Sequence, residues 1–175
     1  MDNIQIKTGR LIITEFDESM ISSVHLNSLD HDTRRFVPDE VFETEEEARD
    51  AVRFFMERYH GDSGPFVYPI LLPNKVNIGY VQAIPLGEND WEIGYHIAKN
   101  HTGKGYATEA VKVFVPVIME MIGISHIWGI CRADNISSRK VLEKCNFVLR
   151  QKTVTDYSGE RHEVCRYLYR ISELG

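Results

Sequence analysis

The chain has 175 residues, 43% of them hydrophobic, and its 20 lysines and arginines against 26 aspartates and glutamates give a net charge of −6. These values are ordinary for a globular protein, so we expect one domain over residues 1–175 with a sizeable core. A net negative chain lacks the basic face of a general nucleic-acid or membrane-surface binder, which disfavours both classes. No apolar run reaches the ~20 residues of a membrane span, and the first residues lack the basic-then-apolar order of a signal peptide.

The three cysteines, Cys131, Cys145 and Cys165, are widely spaced and form no Cys-x-x-Cys pair. Such a set indicates neither a zinc site nor a disulfide framework, and the histidines show no ligand spacing. We therefore expect a cytoplasmic protein without a metal site.

Hydrophobic periodicity, helix caps and turn residues predict the secondary structure. The predicted elements are a strand over residues 10–16, helices over 17–29 and 44–59, strands over 66–72, 76–84 and 91–97, a helix over 106–121, a strand over 124–131, a helix over 135–145, and strands over 147–155 and 162–171. Residues 30–42 have the composition of a loop, with Pro38 as a breaker. Short, turn-rich connections between the three middle strands predict an antiparallel meander. Thr44 and Glu47 form a capping-box pattern.

Two glycines, Gly103 and Gly105, stand one residue apart directly before an amphipathic run. Glycine lets backbone amides approach a bulky anion, and a helix N-terminus adds unpaired N–H groups and a partial positive charge. The stretch therefore indicates a phosphate-binding loop. It is not a dinucleotide fingerprint, because Thr108 holds the place of the third glycine. It is not a P-loop, because Gly105 follows Lys104 where serine or threonine is required.

This loop resembles the acyl-CoA pyrophosphate loop of the GNAT N-acetyltransferase superfamily, which reads Gln/Arg-x-x-Gly-x-Gly/Ala. Gly105 and Ala107 occupy its last two fixed places, and Thr102 stands where glutamine or arginine is usual. The run Gly-Lys-Gly-Tyr-Ala-Thr-Glu-Ala over residues 103–110 is similar to the RimJ/RimL-type branch. That branch is named after enzymes that acetylate the N-termini of ribosomal proteins.

A second segment, residues 135–147, resembles the Asn-x-x-Ser and Glu-Lys-x-Gly-Phe pattern of the same branch. The matching residues are Asn135, Ser138, Glu143, Lys144 and Phe147. Asn146 replaces the glycine, and since asparagine also tolerates positive φ, we expect the left-handed helix end to be kept. Two motifs in the right order are far more specific than either alone.

The resemblance implies a GNAT fold of the α/β (α+β) class, with a mixed, mostly antiparallel sheet of about seven strands and about four flanking helices. In that fold the fourth and fifth strands splay apart, and the pantetheine arm of acetyl-CoA lies in the gap. Those strands correspond here to residues 91–97 and 124–131. The implied cofactor-binding residues are His96, Ile97, Gly103, Lys104, Gly105, Tyr106, Ala107, Thr108 and Asn135.

The implied reaction is transfer of an acetyl group from acetyl-CoA to a primary amine by direct attack in a ternary complex. Glu92 is the first candidate for the base, because Glu92, Gly94 and His96 share the strand face opposite the apolar residues. The stretch also resembles the family's Ala-Glu-Ile-Gly-Tyr-Trp strand, whose glutamate is implicated as base. His96 and water remain open as alternatives.

The leaving thiolate needs a hydrogen-bond donor or a proton. Many GNAT enzymes have a tyrosine just before the Glu-Lys pair, where this chain has Leu142. By resemblance to the RimJ/RimL-type branch, Ser138 is the candidate donor to the leaving sulfur.

The acceptor is open among a peptide N-terminus, a polyamine and an aminoglycoside. In the family fold it would be chosen by residues 30–42 and the first two helices. The acidic residues of that region either attract a cation or are merely solvated: Asp30, Asp32, Asp39, Glu40 and Glu43. A homodimer is compatible with the sequence. An acyl-CoA-binding sensor without turnover is the alternative function, because Thr102, Leu142 and Asn146 depart from the family pattern.

Overall fold

The computed structural model of the chain describes residues 3–172 and consists of one eight-stranded sheet with five α-helices around it. The strands are β1 (Ile6–Lys7), β2 (Ile12–Ile13), β3 (Phe66–Leu71), β4 (Asn77–Gly87), β5 (Asp90–Ile97), β6 (His126–Arg132), β7 (Val148–Tyr157) and β8 (Glu160–Arg170). The helices are α1 (Ile21–Asn27), α2 (His31–Phe36), α3 (Glu45–Arg58), α4 (Tyr106–Ile122) and α5 (Ile136–Lys144), with short 3₁₀ turns at Glu18–Met20, Pro38–Glu40 and Lys99–His101.

The strand order across the sheet is β1-β2-β3-β4-β5-β6-β8-β7, and β5–β6 is the parallel pair. The other neighbours are antiparallel, and β3, β4 and β5 form the expected meander. The mixed, mostly antiparallel architecture predicted from the sequence is therefore confirmed. Because two short strands precede the first helix, the family's fourth and fifth strands are β5 and β6 here.

Helices cover both faces of the sheet and bury its apolar side chains. On one face, α4 contributes Ala110, Val111, Phe114, Val115, Ile118 and Met119 to the main core. On the other, residues of α1 and α3 pack with Phe16 and Val67 in a second cluster. Burying each large apolar side chain stabilises the fold by about 1.5–3 kcal/mol, so these two layers hold the middle strands firmly.

Two sequence predictions are corrected here. Residues 30–42, predicted as a loop, contain α2 and the 3₁₀ turn Pro38–Glu40. The helix is only six residues long and has no apolar periodicity, and it begins where the Asp30 carboxylate accepts the N–H of Thr33 at 3.0 Å. The strand predicted over residues 10–16 is reduced to Ile12–Ile13, because the chain leaves the sheet after two residue pairs with β3.

Two predicted helix ends are confirmed. At the start of α3, Thr44 Oγ1 accepts the N–H of Glu47 at 3.1 Å, although the Glu47 carboxylate accepts the N–H of Glu43 and not that of Thr44. After α5, Asn146 takes a left-handed conformation with φ 66°, and the N–H of Phe147 donates to the carbonyl of Leu142 at 3.0 Å. This is the bond that closes a Schellman-type helix end.

Candidate active site

The centre of the sheet opens between β5 and β6. These strands pair only at Glu92 with Trp128 and at Ile93 with Gly129. Beyond Ile93 they diverge, and a cleft of about 680 Å³ runs through the gap, between the N-terminal ends of α4 and α5. The expected splay is therefore present, and it leaves one edge of β5 without a strand partner.

The free edge of β5 offers backbone groups to the gap. The N–H of Ala98 donates to the carbonyl of Ile78 on β4 at 2.7 Å. Successive N–H groups of an extended chain point to opposite sides, so the N–H of Ile97 points away from β4 and towards the gap. Ile97, one of the implied cofactor-binding residues, thus offers an unpaired backbone donor to the gap.

The glycine loop before α4 forms an open anion cradle. Gly103 and Gly105 both have left-handed φ angles, 78° and 79°, and Gly105 is the N-cap of α4 without any capping side chain. A Cβ built on Gly103 would meet nothing within 4 Å, and one on Gly105 would meet only the guanidinium of Arg10 at 3.6 Å. The first N–H groups of α4 therefore face open space that a phosphate can fill.

Arg10 supports this loop from the other end of the chain. Its Nη1 donates to the carbonyl of Lys104 at 2.9 Å, and its Nε lies 3.3 Å from Glu109 Oε2. Its guanidinium also stacks 4.6 Å from the centre of the Tyr106 ring. Arg10 could not be predicted from the sequence, because no local pattern links an arginine to a loop more than 90 residues later.

At the start of α5, the predicted pair Asn135 and Ser138 lies beside an unpredicted partner. Asn135 Oδ1 caps the helix by accepting the N–H of Ser138 at 3.3 Å. The phenol of Tyr95 on β5 reaches across the gap, with its oxygen 2.8 Å from Ser138 Oγ and 2.9 Å from the carbonyl oxygen of Ser138. Burial raises the pKa of Tyr95 above its usual range, so the phenol stays protonated.

Leu142 packs where the family often has a tyrosine. It is fully buried, and a Cβ on Gly129 would come within 2.4 Å of its Cδ2. Leucine and glycine therefore fit against each other between α5 and β6. The phenol nearest Ser138 is therefore that of Tyr95 on β5, and not one on α5.

Residues 30–42, which we call the cover segment, lie over one end of the cleft and hold the side chain of His96. His96 Nε2 is 2.8 Å from Thr33 Oγ1 and 3.4 Å from Asp30 Oδ2, and its ring stacks on Tyr80 with the centres 5.5 Å apart. Burial lowers the pKa of His96 in spite of the nearby Asp30 carboxylate. The imidazole is thus a neutral anchor for the cover segment.

A second anchor joins the cover segment to β6. Arg132 pairs with Asp134 at 2.8 Å, donates to the carbonyl of Arg35 at 3.2 Å and lies 5.2 Å from the ring centre of Phe36. The cover segment is therefore tied to both sides of the gap. It forms one wall of the cleft.

Two partly buried carboxyl groups, those of Glu40 and Glu92, line this part of the cleft. Glu92 lies on the expected face of β5, where burial and the charge of Glu40 raise its pKa to about 7. Burial also raises the pKa of Glu40 to about 7. Glu40 Oε1 accepts from Nε2 of Gln82 at 2.8 Å, and that amide lies on Gly94, whose Cβ would come within 2.6 Å of it. The glycine thus makes room for the Gln82 amide.

All but one of the sequence-predicted site residues line the cleft. Glu92, His96 and Ile97 come from β5, Gly103 and Gly105 to Thr108 from the loop and α4, and Asn135 and Ser138 from α5. The exception is Lys104, whose side chain is exposed. Within residues 3–172 no three His, Cys, Asp or Glu side chains are grouped as metal ligands, and none of the helices described there could cross a membrane.

Comparison with known proteins gives the family. Residues 10–148 match the acetyltransferase (GNAT) domain. The chain is 30% identical over 142 residues to the uncharacterized N-acetyltransferase YnaD of Bacillus subtilis strain 168, covering 81% of each protein. It is similar in structure to a GNAT-family acetyltransferase from Bacillus anthracis, with a TM-score of 0.82 at 24% identity, covering 95% of this chain and 98% of that one.

A second solved structure is RimL, the ribosomal L7/L12 α-N-protein acetyltransferase, in complex with coenzyme A. Its TM-score is 0.83 at 21% identity, covering 96% of this chain and 98% of that one. At such identities the two structures support the fold, while the domain match and YnaD carry the family. The chain belongs to the GNAT acetyltransferase family and is an acetyl-CoA-dependent N-acetyltransferase.

Proposed function

We propose that this protein transfers an acetyl group from acetyl-CoA directly to a primary amine in a ternary complex, as a single-domain member of the RimJ/RimL-type branch. One observation carries the proposal. A single cleft connects an open anion cradle at the start of α4 with the partly buried carboxyl group of Glu92 on β5, through the gap between β5 and β6.

The cradle end is proposed to bind the cofactor through backbone groups. The amides of residues 103–108 suit a pyrophosphate, and the positive end of α4 adds to the attraction. The amide nitrogen of Asn135 and the free edge of β5 suit the amide-rich pantetheine arm. The N–H of Ile97 is aimed to polarise the acetyl carbonyl. Acetyl-CoA supplies the thioester as acyl donor when bound.

Glu92 is proposed to accept the proton of the incoming ammonium group. A carboxyl group with a pKa of about 7 is well matched to this task near neutral pH. An α-amine, with a pKa of about 7.7–8.0, is easily deprotonated by such a base, whereas a lysine side chain, with a pKa of about 10.4, is harder to deprotonate. The neutral amine then attacks, and its lone pair forms the new C–N bond.

Ser138 is proposed to donate a hydrogen bond to the leaving sulfur, and Tyr95 to orient it. When the Tyr95 hydroxyl donates to Ser138 Oγ, the serine hydrogen is free to point to the sulfur. When it donates to the carbonyl oxygen of Ser138, it can accept the serine hydrogen instead. Both bonds have good lengths, so the phenol can switch without ionising. The C–S electron pair leaves with sulfur. The attacking nitrogen loses its second proton as the amide forms, and this balances the proton that the coenzyme A thiolate takes up.

The acceptor and the place of action belong to the same proposal. RimL, one structural neighbour, is a ribosomal-protein α-N-acetyltransferase. A peptide N-terminus or a small primary amine is proposed for this chain. Cys131, Cys145 and Cys165 are all free and buried, which is in keeping with the reducing cytoplasm.

The test is release of free coenzyme A from acetyl-CoA in the presence of a panel of primary amines. We expect release that depends on both the protein and an amine, and an acetylated amine by mass spectrometry. A protein that binds acetyl-CoA tightly but releases none with any amine would be the sensor that the sequence leaves as its alternative.

A further inference from the structure

Glu40 is held in the cleft by neutral groups. It ends the 3₁₀ turn Pro38–Glu40 of the cover segment, and it is partly buried with its carboxyl group against β4. Its Oε1 accepts from Nε2 of Gln82 at 2.8 Å and its Oε2 accepts from the hydroxyl of Tyr80. Within residues 3–172, no lysine, arginine or histidine side chain forms an ion pair with it. The two donors fix the carboxyl group without cancelling a charge.

Glu92 shares this lack of a cation. Its carboxyl group has neither an ion pair nor a hydrogen bond within the described part of the chain. The charge of Arg166 acts on it from a distance, since that guanidinium lies 4.8 Å from the ring centre of Trp128 and outside the cleft wall. A buried carboxylate is costly when unpaired, and a second one nearby adds repulsion. A bound cation would relieve both costs.

The walls around the two carboxyl groups are largely apolar. We call this part of the cleft the acceptor lobe, and its walls are Phe36, Val37, Ile84 and Tyr157 with Glu40 and Glu92. The lysines of the whole cleft wall stand after β5 and on α5: Lys99, Lys140 and Lys144. Lys99 is also paired with Asp32, at 3.1 Å. Arg35 and Arg132 lie against the ring of Phe36 from outside the cleft wall, and both pair with Asp134. A carboxylate entering the acceptor lobe would thus meet two carboxyl groups and no unpaired cation on the cleft wall.

We propose that Glu40 binds the ammonium group of the acceptor together with Glu92, and that the acceptor is a primary amine with no carboxylate beside its reacting nitrogen. This inference rests on the proposed function and narrows its substrate. Peptide N-termini and alkyl amines satisfy the requirement, and free α-amino acids do not. Glu40 is then a specificity-determining residue. Glu92 takes the proton, and the freed nitrogen attacks.

A matched pair of acceptors tests whether a carboxylate beside the reacting nitrogen is excluded. Alanine and alaninamide have the same amine-bearing carbon, and only alanine has a carboxylate beside it. With saturating acetyl-CoA, we expect kcat/KM for alaninamide to exceed that for alanine by at least roughly tenfold, because the acid brings an unpaired charge into the lobe. Both acceptors are measured at one pH that lies well below their amine pKa values, so that each is almost wholly in the ammonium form. Equal kcat/KM values under this condition would overturn the proposal.

Glu40→Gln tests the residue. The amide keeps the shape and can still bond Gln82 and Tyr80, so the fold is expected to persist with an unchanged or raised Tm. KM for alaninamide should rise roughly tenfold to a hundredfold, as for a lost bond to a charged group, while KM for acetyl-CoA stays the same. Glu57→Gln makes the same change at an exposed residue of α3, outside the cleft wall, and should leave both constants unchanged. An unchanged amine KM in Glu40→Gln would refute the assignment.

A binding measurement separates this inference from the proposed function. NMR titration of alaninamide into the protein with coenzyme A, which has no acetyl group, reports amine binding without turnover. We expect binding by the unaltered protein and weaker binding by Glu40→Gln. If the amine binds in this way but is never acetylated, the proposed function fails and the assignment of Glu40 stands. If turnover occurs and Glu40→Gln binds alaninamide normally, the proposed function stands and the assignment of Glu40 fails.

Discussion

The two ends of the cleft recognise their ligands by different means. The cofactor end is built mainly from backbone groups of short continuous segments, namely the glycine loop, the start of α4 and the free edge of β5. The acceptor lobe is built from side chains, such as Glu40, Glu92 and Tyr157, that come from separate segments of the chain. Backbone groups bind the cofactor, which every relative must bind, whereas the side chains of the acceptor lobe can be exchanged one at a time.

This difference has a physical consequence. A backbone cradle needs particular φ angles and the absence of Cβ atoms, so it fails when a side chain is added. An acceptor lobe of buried carboxyl groups needs charge, so it fails when a charge is removed and its shape is kept. Substitutions of the two kinds should therefore separate cofactor binding from amine chemistry.

The largest effect is expected from Glu92→Gln, which removes the base and keeps its shape. We expect turnover to fall by roughly 10²–10⁴, the range for general-base catalysis. In the unaltered enzyme kcat/KM should rise with pH through about 7 as the carboxyl group loses its proton, a limb that belongs to the coupled pair of Glu92 and Glu40. The loss should shrink at higher pH, where the amine is already neutral. Near-normal rates from pH 6 to 9 would remove Glu92 from the mechanism.

Gly105→Val should nearly abolish acetyl-CoA binding by placing a branched side chain in the anion cradle. The strain of a side chain at φ 79° is a separate cost, and Gly123 offers a matched control at the other end of the same helix. Gly123 has φ 81°, and a Cβ there would meet nothing within 4 Å. Calorimetry should show at least roughly hundredfold weaker binding in folded Gly105→Val, and normal binding in Gly123→Val. Equal losses in the two variants would mean that strain alone is responsible.

Ser138→Ala should lower kcat by roughly tenfold to a hundredfold with little change in KM for acetyl-CoA, because a bond to developing thiolate counts most in the transition state. Tyr95→Phe should give a smaller loss, and the double variant should be no slower than Ser138→Ala, since the phenol acts through the serine. Asn135→Ala should instead raise KM with a smaller change in kcat. Steady-state kinetics with a saturating acceptor measures all four variants. Additive losses for Tyr95→Phe and Ser138→Ala would mean that the two residues act independently.

The smallest effect is expected from Arg10→Gln, which releases the carbonyl of Lys104 and the ring of Tyr106 from the outside of the loop. Because Arg10 is about half exposed, we expect only a few-fold rise in KM for acetyl-CoA. Arg53→Gln breaks a similarly exposed ion pair with Glu18, away from the cleft, and should have no effect. If both variants behave alike, Arg10 is only a surface residue.

The contrast between the two ends also explains which features could be predicted. The meander, α4, α5 and the glycine loop follow from local periodicity and from motifs within a few residues. The helix α2 could not be predicted in this way, because contacts of Asp30 and Thr33 with His96, more than 60 residues away, help to hold it.

Two site residues that the sequence did not single out, Tyr95 and Glu40, also depend on contacts between distant segments. The strand face of Tyr95 follows from alternation, but the reach of its hydroxyl to Ser138 depends on how far β5 and α5 lie apart. Glu40 is one of several acidic residues in its segment, and its hydrogen bonds to Gln82 and Tyr80 of β4 distinguish it. Such contacts are fixed by tertiary packing, which no single-segment pattern contains.

Initial rates measured with both acetyl-CoA and alaninamide varied test the central claim, direct transfer within one cleft, most directly. Direct attack requires both substrates to be bound together, so the double-reciprocal lines should intersect, and no coenzyme A should be released before the amine is added. Parallel lines, or a burst of coenzyme A without amine, would show an acetylated protein on the pathway and contradict the account.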